Sequence, residues 1–417
     1  MDWRQRYDTL LPEILREWPA TRHKDLRLDD TWHPETNRIR APQLRLIRAD
    51  TRPALFGYQE DLVEQVREVI SESGAALLSL PTGGGKTRTA VVAVLDFLAQ
   101  RGGGRVVWLA PTIELIDQAI DTFVRLWHDF GAAPDVALTR KFQRRGDCCV
   151  WFTTPQAVNS LISRTSMLGE WDLIVFDEAH QLAARTYRRA VEWLRGRDDE
   201  RKAVPLIGLS ATPGRADSSE MGELLDIFGK RLLRSGRLGE NPVRALQQMG
   251  VLAQLRFRKF TKRGVSDSEA ERLSIAARAC TELFRRGRHV LVFTGSVGGA
   301  YLLQDILQGV NVPARAVDST MPAEDRYAII SAFERHKISV LVNQRLLATG
   351  YDCPAVTDVL LLTRIGSPIL FEQIVGRAAR GPRTGGSRVG TIWEFDDHLA
   401  MHGLPSSYYR YKDYDWS

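Results

Sequence analysis

Cysteine is scarce in this sequence: Cys148, Cys149, Cys280 and Cys353 are the four found in 417 residues. None belongs to a C-x-x-C pair and the one close pair is vicinal, so a zinc module and a disulfide framework both fit poorly. A reducing, cytoplasmic setting is the natural expectation. Long apolar runs are missing as well. No stretch approaches the roughly 18 to 20 apolar residues that span a bilayer, so neither a membrane-embedded chain nor a membrane partner is expected. Met1-Asp2-Trp3-Arg4-Gln5-Arg6 leads into no apolar segment of the secretory kind. Lysine is rare too, at nine residues against 48 arginines. Phosphate contacts would produce that bias, and GC-rich coding produces it as readily.

What is present is the composition of a globular chain, 44% hydrophobic and 26% charged, which buries substantial cores. At about 150 residues per domain, the length suggests two or three domains. A net charge of +6 and a pI near 9.2 are compatible with a polyanionic partner.

From residue 75 short apolar runs alternate with amphipathic stretches. The runs are Ala75–Leu80, Arg105–Ala110, Cys148–Thr153, Asp172–Asp177 and Pro205–Ser210, with helical periods such as Thr87–Gln100 and Glu114–Trp127 between them. Continuous apolar strands of this kind need cover on both faces, which predicts a parallel sheet flanked by helices. A second series follows at His289–Thr294, Pro313–Val317, Ile338–Asn343, Val356–Thr363 and Val389–Phe395. The expected organisation is an accessory segment (1–50), an α/β domain (51–235), a basic irregular linker (236–260), a second α/β domain (261–397) and an aromatic tail (398–417). In that tail Tyr408, Tyr409, Tyr411, Tyr414 and Trp416 interleave with Arg410 and Lys412. Such a tail either stacks on bases or is pinned by its rings to its own domain.

Pro81-Thr82-Gly83-Gly84-Gly85-Lys86-Thr87 follows the first run. Three glycines let the backbone curl so that several N–H groups face one anion at a helix N-terminus. In such a loop Lys86 reaches the β- and γ-phosphates and the Thr87 hydroxyl ligates Mg²⁺. The strict pattern has glycine where this chain has Leu80. Asp177-Glu178-Ala179-His180 ends a later run, where an acid at a strand's carboxyl end adjoins the phosphates. Asp177 is expected to hold the hydrated Mg²⁺ and Glu178 to polarise the attacking water. Upstream, Phe56-Gly57-Tyr58-Gln59 offers an amide for adenine, Gln59, beside an aromatic that can stack, Tyr58. In Gln373-Ile374-Val375-Gly376-Arg377-Ala378-Ala379-Arg380 the arginines are three apart. Their spacing predicts one helix face and a pair of arginine fingers for a γ-phosphate.

Taken in order, Phe56–Gln59, Leu80–Thr87, Asp177–His180, Ser210-Ala211-Thr212-Pro213, Ala348-Thr349-Gly350-Tyr351-Asp352 and Gln373–Arg380 resemble the superfamily 2 helicase motifs. The resemblance covers roughly residues 50–395. It implies two tandem RecA-like domains, each a mostly parallel sheet with helices on both faces, with ATP in a cleft between them and a nucleic-acid strand across both. It also implies roles by matching position. Thr82 to Thr87, Gly350, Asp352 and Gln373 would line ATP, and His180, Ser210 and Thr212 would couple that site to nucleic acid. Pro111, Thr112, Thr153, Thr154, Gln156, Thr294, Gly295 and Thr349 would hold a strand's backbone. Contacts of that kind position without reading bases. Arg244-Ala245-Leu246, Gly250-Val251-Leu252-Ala253 with the basic strand that follows, and Ser367-Pro368 with Gly381-Pro382-Arg383 look more like the excision-repair and type III restriction ATPases. DNA is therefore favoured over RNA. An RNA-remodelling ATPase and a nucleotide-gated subunit of a repair or defence complex are the alternatives.

Overall fold

The computed structural model describes residues 43–45, 54–128, 136–140, 142, 148–164, 171–196, 203–211, 218–260, 268–348, 353–396 and 398–402. They fall into two compact units that part between Leu246 and Gln247. The accessory segment (apart from 43–45), the Tyr and Trp residues of the tail, and Thr212, Thr349, Gly350 and Asp352 lie outside the described residues.

The N-terminal unit is built on an eight-stranded sheet. Its strands are β1 (Gln43–Arg45), β2 (Ala75–Ser79), β3 (Arg105–Leu109), β4 (Ala137–Thr139), β5 (Cys149–Thr153), β6 (Leu173–Phe176), β7 (Leu206–Ser210) and β8 (Leu232–Leu233), in the order β1-β4-β5-β3-β6-β7-β2-β8. Every pairing is parallel except β1 with β4. Its helices are α1 (Gly57–Ser71), α2 (Lys86–Arg101), α3 (Ile113–His128), α4 (Pro155–Ile162), α5 (Arg185–Arg195), α6 (Ser218–Ile227) and α7 (Pro242–Gln248). The five apolar runs of the sequence are β2, β3, β5, β6 and β7.

The C-terminal unit carries a fully parallel six-stranded sheet, ordered β11-β12-β10-β13-β14-β9. Its strands are β9 (Gln254–Lys259), β10 (Val290–Phe293), β11 (Ala314–Val317), β12 (Val340–Asn343), β13 (Asp358–Leu361) and β14 (Val389–Glu394). Helices α8 (Glu269–Arg285), α9 (Val297–Gly309), α10 (Ala323–Glu334), α11 (Pro368–Val375) and α12 (His398–His402) complete it. Along β10, Val290 and Val292 enter one apolar cluster and Leu291 and Phe293 another. Both faces are therefore covered, which is why this strand reads as a continuous apolar run. Residues 236–260 are not irregular throughout: they hold α7 and β9, and β9 forms one edge of the second sheet. Among the described residues no helix is long and apolar enough to cross a membrane, and all four cysteines are free thiols.

Candidate nucleotide and nucleic-acid sites

Strand β2 delivers the chain to Leu80 and the loop Pro81–Gly85. Gly83 and Gly85 adopt φ of +88° and +87°, a region that a Cβ makes costly. The Gly84 N–H donates to the Pro81 carbonyl at 2.8 Å, tightening the curl. Helix α2 then starts from Gly85 with no side chain capping it. This is the end where the helix dipole favours an anion. Lys86 folds back so that Nζ lies 3.4 Å from the Leu80 carbonyl, and Thr82 and Thr87 are half-buried on the same loop.

Tyr58 does not stack on a base. It is fully buried, and its hydroxyl donates to the Gly84 carbonyl at 2.8 Å. One ring face lies against Phe56, with centroids 5.7 Å apart and 7° between planes. The sequence offered this aromatic as a ring beside Gln59, and packing makes it a prop beneath the glycines. The half-exposed ring of the pair is Phe56. Gln59 is buried as well; its Oε1 accepts from the Phe56 N–H at 3.1 Å, and its amide nitrogen lies over Gly85.

Asp177 sits just past β6, with its N–H on the Leu109 carbonyl at 2.8 Å. The next residue, Glu178, takes φ +50° and turns the chain into the short helical turn Ala179–Ala183. Burial raises the Asp177 pKa well above the carboxylate range, the adjacent Glu178 charge raises it further, and Lys86 pulls it down. Two acids beside one ammonium make a pocket that a cation would relieve. His180 Nδ1 lies 3.3 Å from Glu178 Oε2 and 3.3 Å from the Ser210 hydroxyl at the end of β7. Gly208 makes that approach possible, since a Cβ there would lie 2.8 Å from the Ala179 side chain.

Strands β3 and β5 are neighbours, with Leu109 opposite Thr153, so the segments after them emerge side by side. The Thr112 hydroxyl accepts from the Leu115 N–H at 3.4 Å and the Thr154 hydroxyl from the Ala157 N–H at 3.2 Å. Each is a helix cap that accepts a hydrogen bond and keeps its own O–H to donate. Gln156 is exposed beside them and Pro111 is half-buried. Thr153, by contrast, is buried at 4% exposure, so its side chain is no surface contact. Thr294 is corrected in the same sense. It is fully buried, and its hydroxyl donates to the Ser296 carbonyl at 2.8 Å, while Gly295 is exposed.

The arginine pair does not share an α-helical face. Helix α11 ends at Val375, Gly376–Ala378 is a 3-10 turn, and Arg380 lies beyond it in an antiparallel bridge with Leu252. Arg377 Nη2 donates to the Ala348 carbonyl at 2.8 Å, tying this turn to the start of the 348–352 motif. Gln373 is buried in α11. Residues just past the unit boundary are stitched to the arginine turn. The Ala253 N–H donates to the Ala379 carbonyl, the Gly381 N–H to Val251 and the Arg383 N–H to Gly250, at 2.8, 2.9 and 3.0 Å.

Two histidines that sequence reasoning left in the tail hold the loop before α11. His398, fully buried, accepts the Ile365 N–H at Nε2, 2.9 Å away, and its Nδ1 lies 2.8 Å from Glu394 Oε2. One turn on, His402 Nε2 lies 2.6 Å from the Ile365 carbonyl. The signal available in the sequence was only the i, i+4 spacing of the pair, which names no partner.

Two family descriptions match this chain: "Type III restriction enzyme, res subunit" over residues 52–215, and "Helicase conserved C-terminal domain" over residues 275–382. The "51.5 kDa protein" of Lactococcus phage (isolate 7-9) is 26% identical over 345 residues, spanning 81% of this chain and 69% of that one. Among solved structures, S. cerevisiae Dbp5 bound to RNA and ADP BeF3 superposes with a TM-score of 0.59 at 15% identity, covering 86% of this chain and 92% of that one. The ATP-dependent Type ISP restriction-modification enzyme LlaBIII bound to DNA gives 0.59 at 16% identity, covering 82% of this chain and 28% of that one. The two structures bear on the fold alone, which is that of tandem RecA-like domains.

Proposed function

Because the chain belongs to the superfamily 2 helicases, we propose that it couples ATP hydrolysis to translocation along, or unwinding of, nucleic acid, with DNA the favoured substrate. The observation that carries the reading is the grouping of Lys86, Asp177 and Glu178 with the uncapped start of α2. Among the described residues no group of three or more His, Cys, Asp or Glu side chains gathers as a metal site. A Mg²⁺ held by the Thr87 hydroxyl and the Asp177 carboxylate, completed by water and phosphate oxygens, suits that sparse oxygen donor set. Bound there, it would neutralise charge on the phosphates.

The chain's own groups then divide the work. The loop amides and Lys86 hold the phosphates, and Gln59 is assigned to adenine. Glu178 orients the water and accepts its proton. Arg377 and Arg380 are assigned to the charge that develops on the γ-phosphate. Thr112, Thr154, Gln156 and Gly295 are assigned to a strand's backbone, whose contacts fix position and not sequence. His180 and Ser210 link the two functions.

The restriction-subunit family match supports DNA and a place in a repair or defence complex with protein subunits. An RNA-remodelling ATPase is the second reading. Free thiols throughout support a cytoplasmic setting. ATP turnover measured with duplex DNA, forked DNA, single strands and RNA at matched salt, with Lys86→Ala as control, separates these readings. Greater stimulation by DNA is expected. Turnover indifferent to every nucleic acid would remove the motor reading.

A further inference from the structure

Strand β9 is the edge of the second sheet, and its residues alternate. Leu255 and Phe257 pack inward, Phe257 with its ring centroid 6.3 Å from that of Phe371, while Arg256, Arg258 and Lys259 are exposed. Arg256 and Arg258 share the outer face of the strand, about 6.6 Å apart along it. The partner strand β14 sets Thr391 opposite Arg256 and Trp393 opposite Arg258. The Arg258 guanidinium lies 5.4 Å from the Trp393 ring centre, and Phe260 stacks on that ring at 5.7 Å. Arg388, exposed, precedes β14 where its carbonyl accepts the Gln254 N–H at 2.9 Å.

Among the described residues, three carboxylates of this region are engaged elsewhere. Asp358 holds Arg288 at 2.7 Å and accepts from the Trp393 indole at 3.0 Å. Glu394 holds His398, and Asp396 holds Arg272 at 2.8 Å. Among the described residues, Arg256, Arg258 and Arg388 therefore have no acidic partner. A row of unneutralised arginines with a half-buried tryptophan between them raises local potential without adding to the fold's stability.

We propose that the β9 edge is a second nucleic-acid surface, in which Arg256 and Arg258 neutralise consecutive phosphates of a bound strand and Arg388 extends the track. Within its own sheet it is separated from Gly295, which follows β10, by β13 and β14, and it rests on the nucleic-acid reading above. Guanidinium geometry suits phosphate, and contacts to phosphate hold a strand in place without reading its bases.

The test is the salt dependence of binding by the full chain. Affinities for a labelled 30-base-pair DNA duplex, a single strand of equal length and an RNA duplex are measured from low to moderate salt. The wild type is compared with Arg256→Gln/Arg258→Gln and Arg256→Lys/Arg258→Lys. Each neutralised phosphate contributes about 0.9 to the slope of log K against log salt. The glutamine pair should therefore lower the slope by roughly 2 and weaken binding about tenfold at low salt, with its melting temperature unchanged. The lysine pair, which keeps the charge, should retain most of the slope. A lysine pair that loses as much as the glutamine pair would overturn the phosphate assignment. Wild-type binding with an unaltered slope in the glutamine pair would overturn the β9 surface alone. A wild-type chain that binds none of the three would overturn the nucleic-acid reading with it.

Discussion

The His180 imidazole and the Ser210 hydroxyl lie 3.3 Å apart, joining the turn after β6 to the end of β7. Glu178 is on the same imidazole, also at 3.3 Å. On the proposed function, a shift in Glu178 during nucleotide turnover would be passed through one ring to a different strand of the sheet. Ser210→Ala should leave unstimulated ATP turnover within about twofold of wild type while reducing the stimulation given by nucleic acid about tenfold or more. Steady-state ATPase assays with and without nucleic acid read both quantities.

Glu178→Gln keeps the shape of the water-orienting group and removes its basicity. The turnover number should fall by roughly 100-fold or more, with nucleotide affinity unchanged or tighter. Lys86→Ala should instead lose nucleotide binding together with turnover. Equilibrium binding of a fluorescent ATP analogue, set beside the rate measurements, distinguishes the two failures.

Tyr58→Phe tests the prop beneath the glycine loop. The variant keeps the ring and loses only the donor to the Gly84 carbonyl, so a stacking role would leave it unaffected. The expected cost is about 1 kcal/mol of stability with a raised KM for ATP. Thermal melting and ATP titration measure the two effects.

His398→Ala strips the Ile365 N–H of its acceptor and leaves the buried Glu394 carboxylate without its ring partner. The loss should be about 3 kcal/mol, seen as a lower denaturant midpoint.

His289 supplies a pH dependence of stability. It is buried, stacked 3.8 Å from Phe333 and 4.7 Å from His336 by ring centroids, and burial first, then the His336 charge, lowers its pKa from 6.5 to about 4. Between those values the unfolded chain binds a proton that the folded chain refuses. The contribution is therefore complete above about pH 6.5 and is lost as the pH falls from there towards 4. His289→Gln should flatten that part of the profile, as followed by melting temperature from pH 7.5 to pH 4.5.

Much of the fold was legible because its information is local. A strand covered on both faces writes itself as an apolar run, and the ten runs are ten of the fourteen strands among the described residues. Strand β9 was read as a basic strand within a linker, because a half-buried edge alternates and its place in a sheet depends on β14, whose paired residues lie 135 positions later. The phosphate loop was legible for the same local reason: glycine alone takes the φ it needs at Gly83 and Gly85. What stayed hidden depends on distant neighbours. Nothing local to Thr294 says that the Ser296 carbonyl will take its proton, and nothing near Arg380 foretells a bridge to Leu252. Tyr58 was read as a ring beside Gln59 that can stack, and its place beneath the loop stayed hidden, since burial is a property of the assembled unit.

The stitches from Gly250, Val251 and Ala253 to the arginine turn have a mechanical implication. Tension applied to the polypeptide at the junction after Leu246 meets, as its first fixed anchorage, the turn that holds Arg377 and Arg380. The backbone there would act as a tether on that turn, so lengthening it with inserted glycines would slacken the turn's response to pulling at the junction and leave its own hydrogen bonds intact.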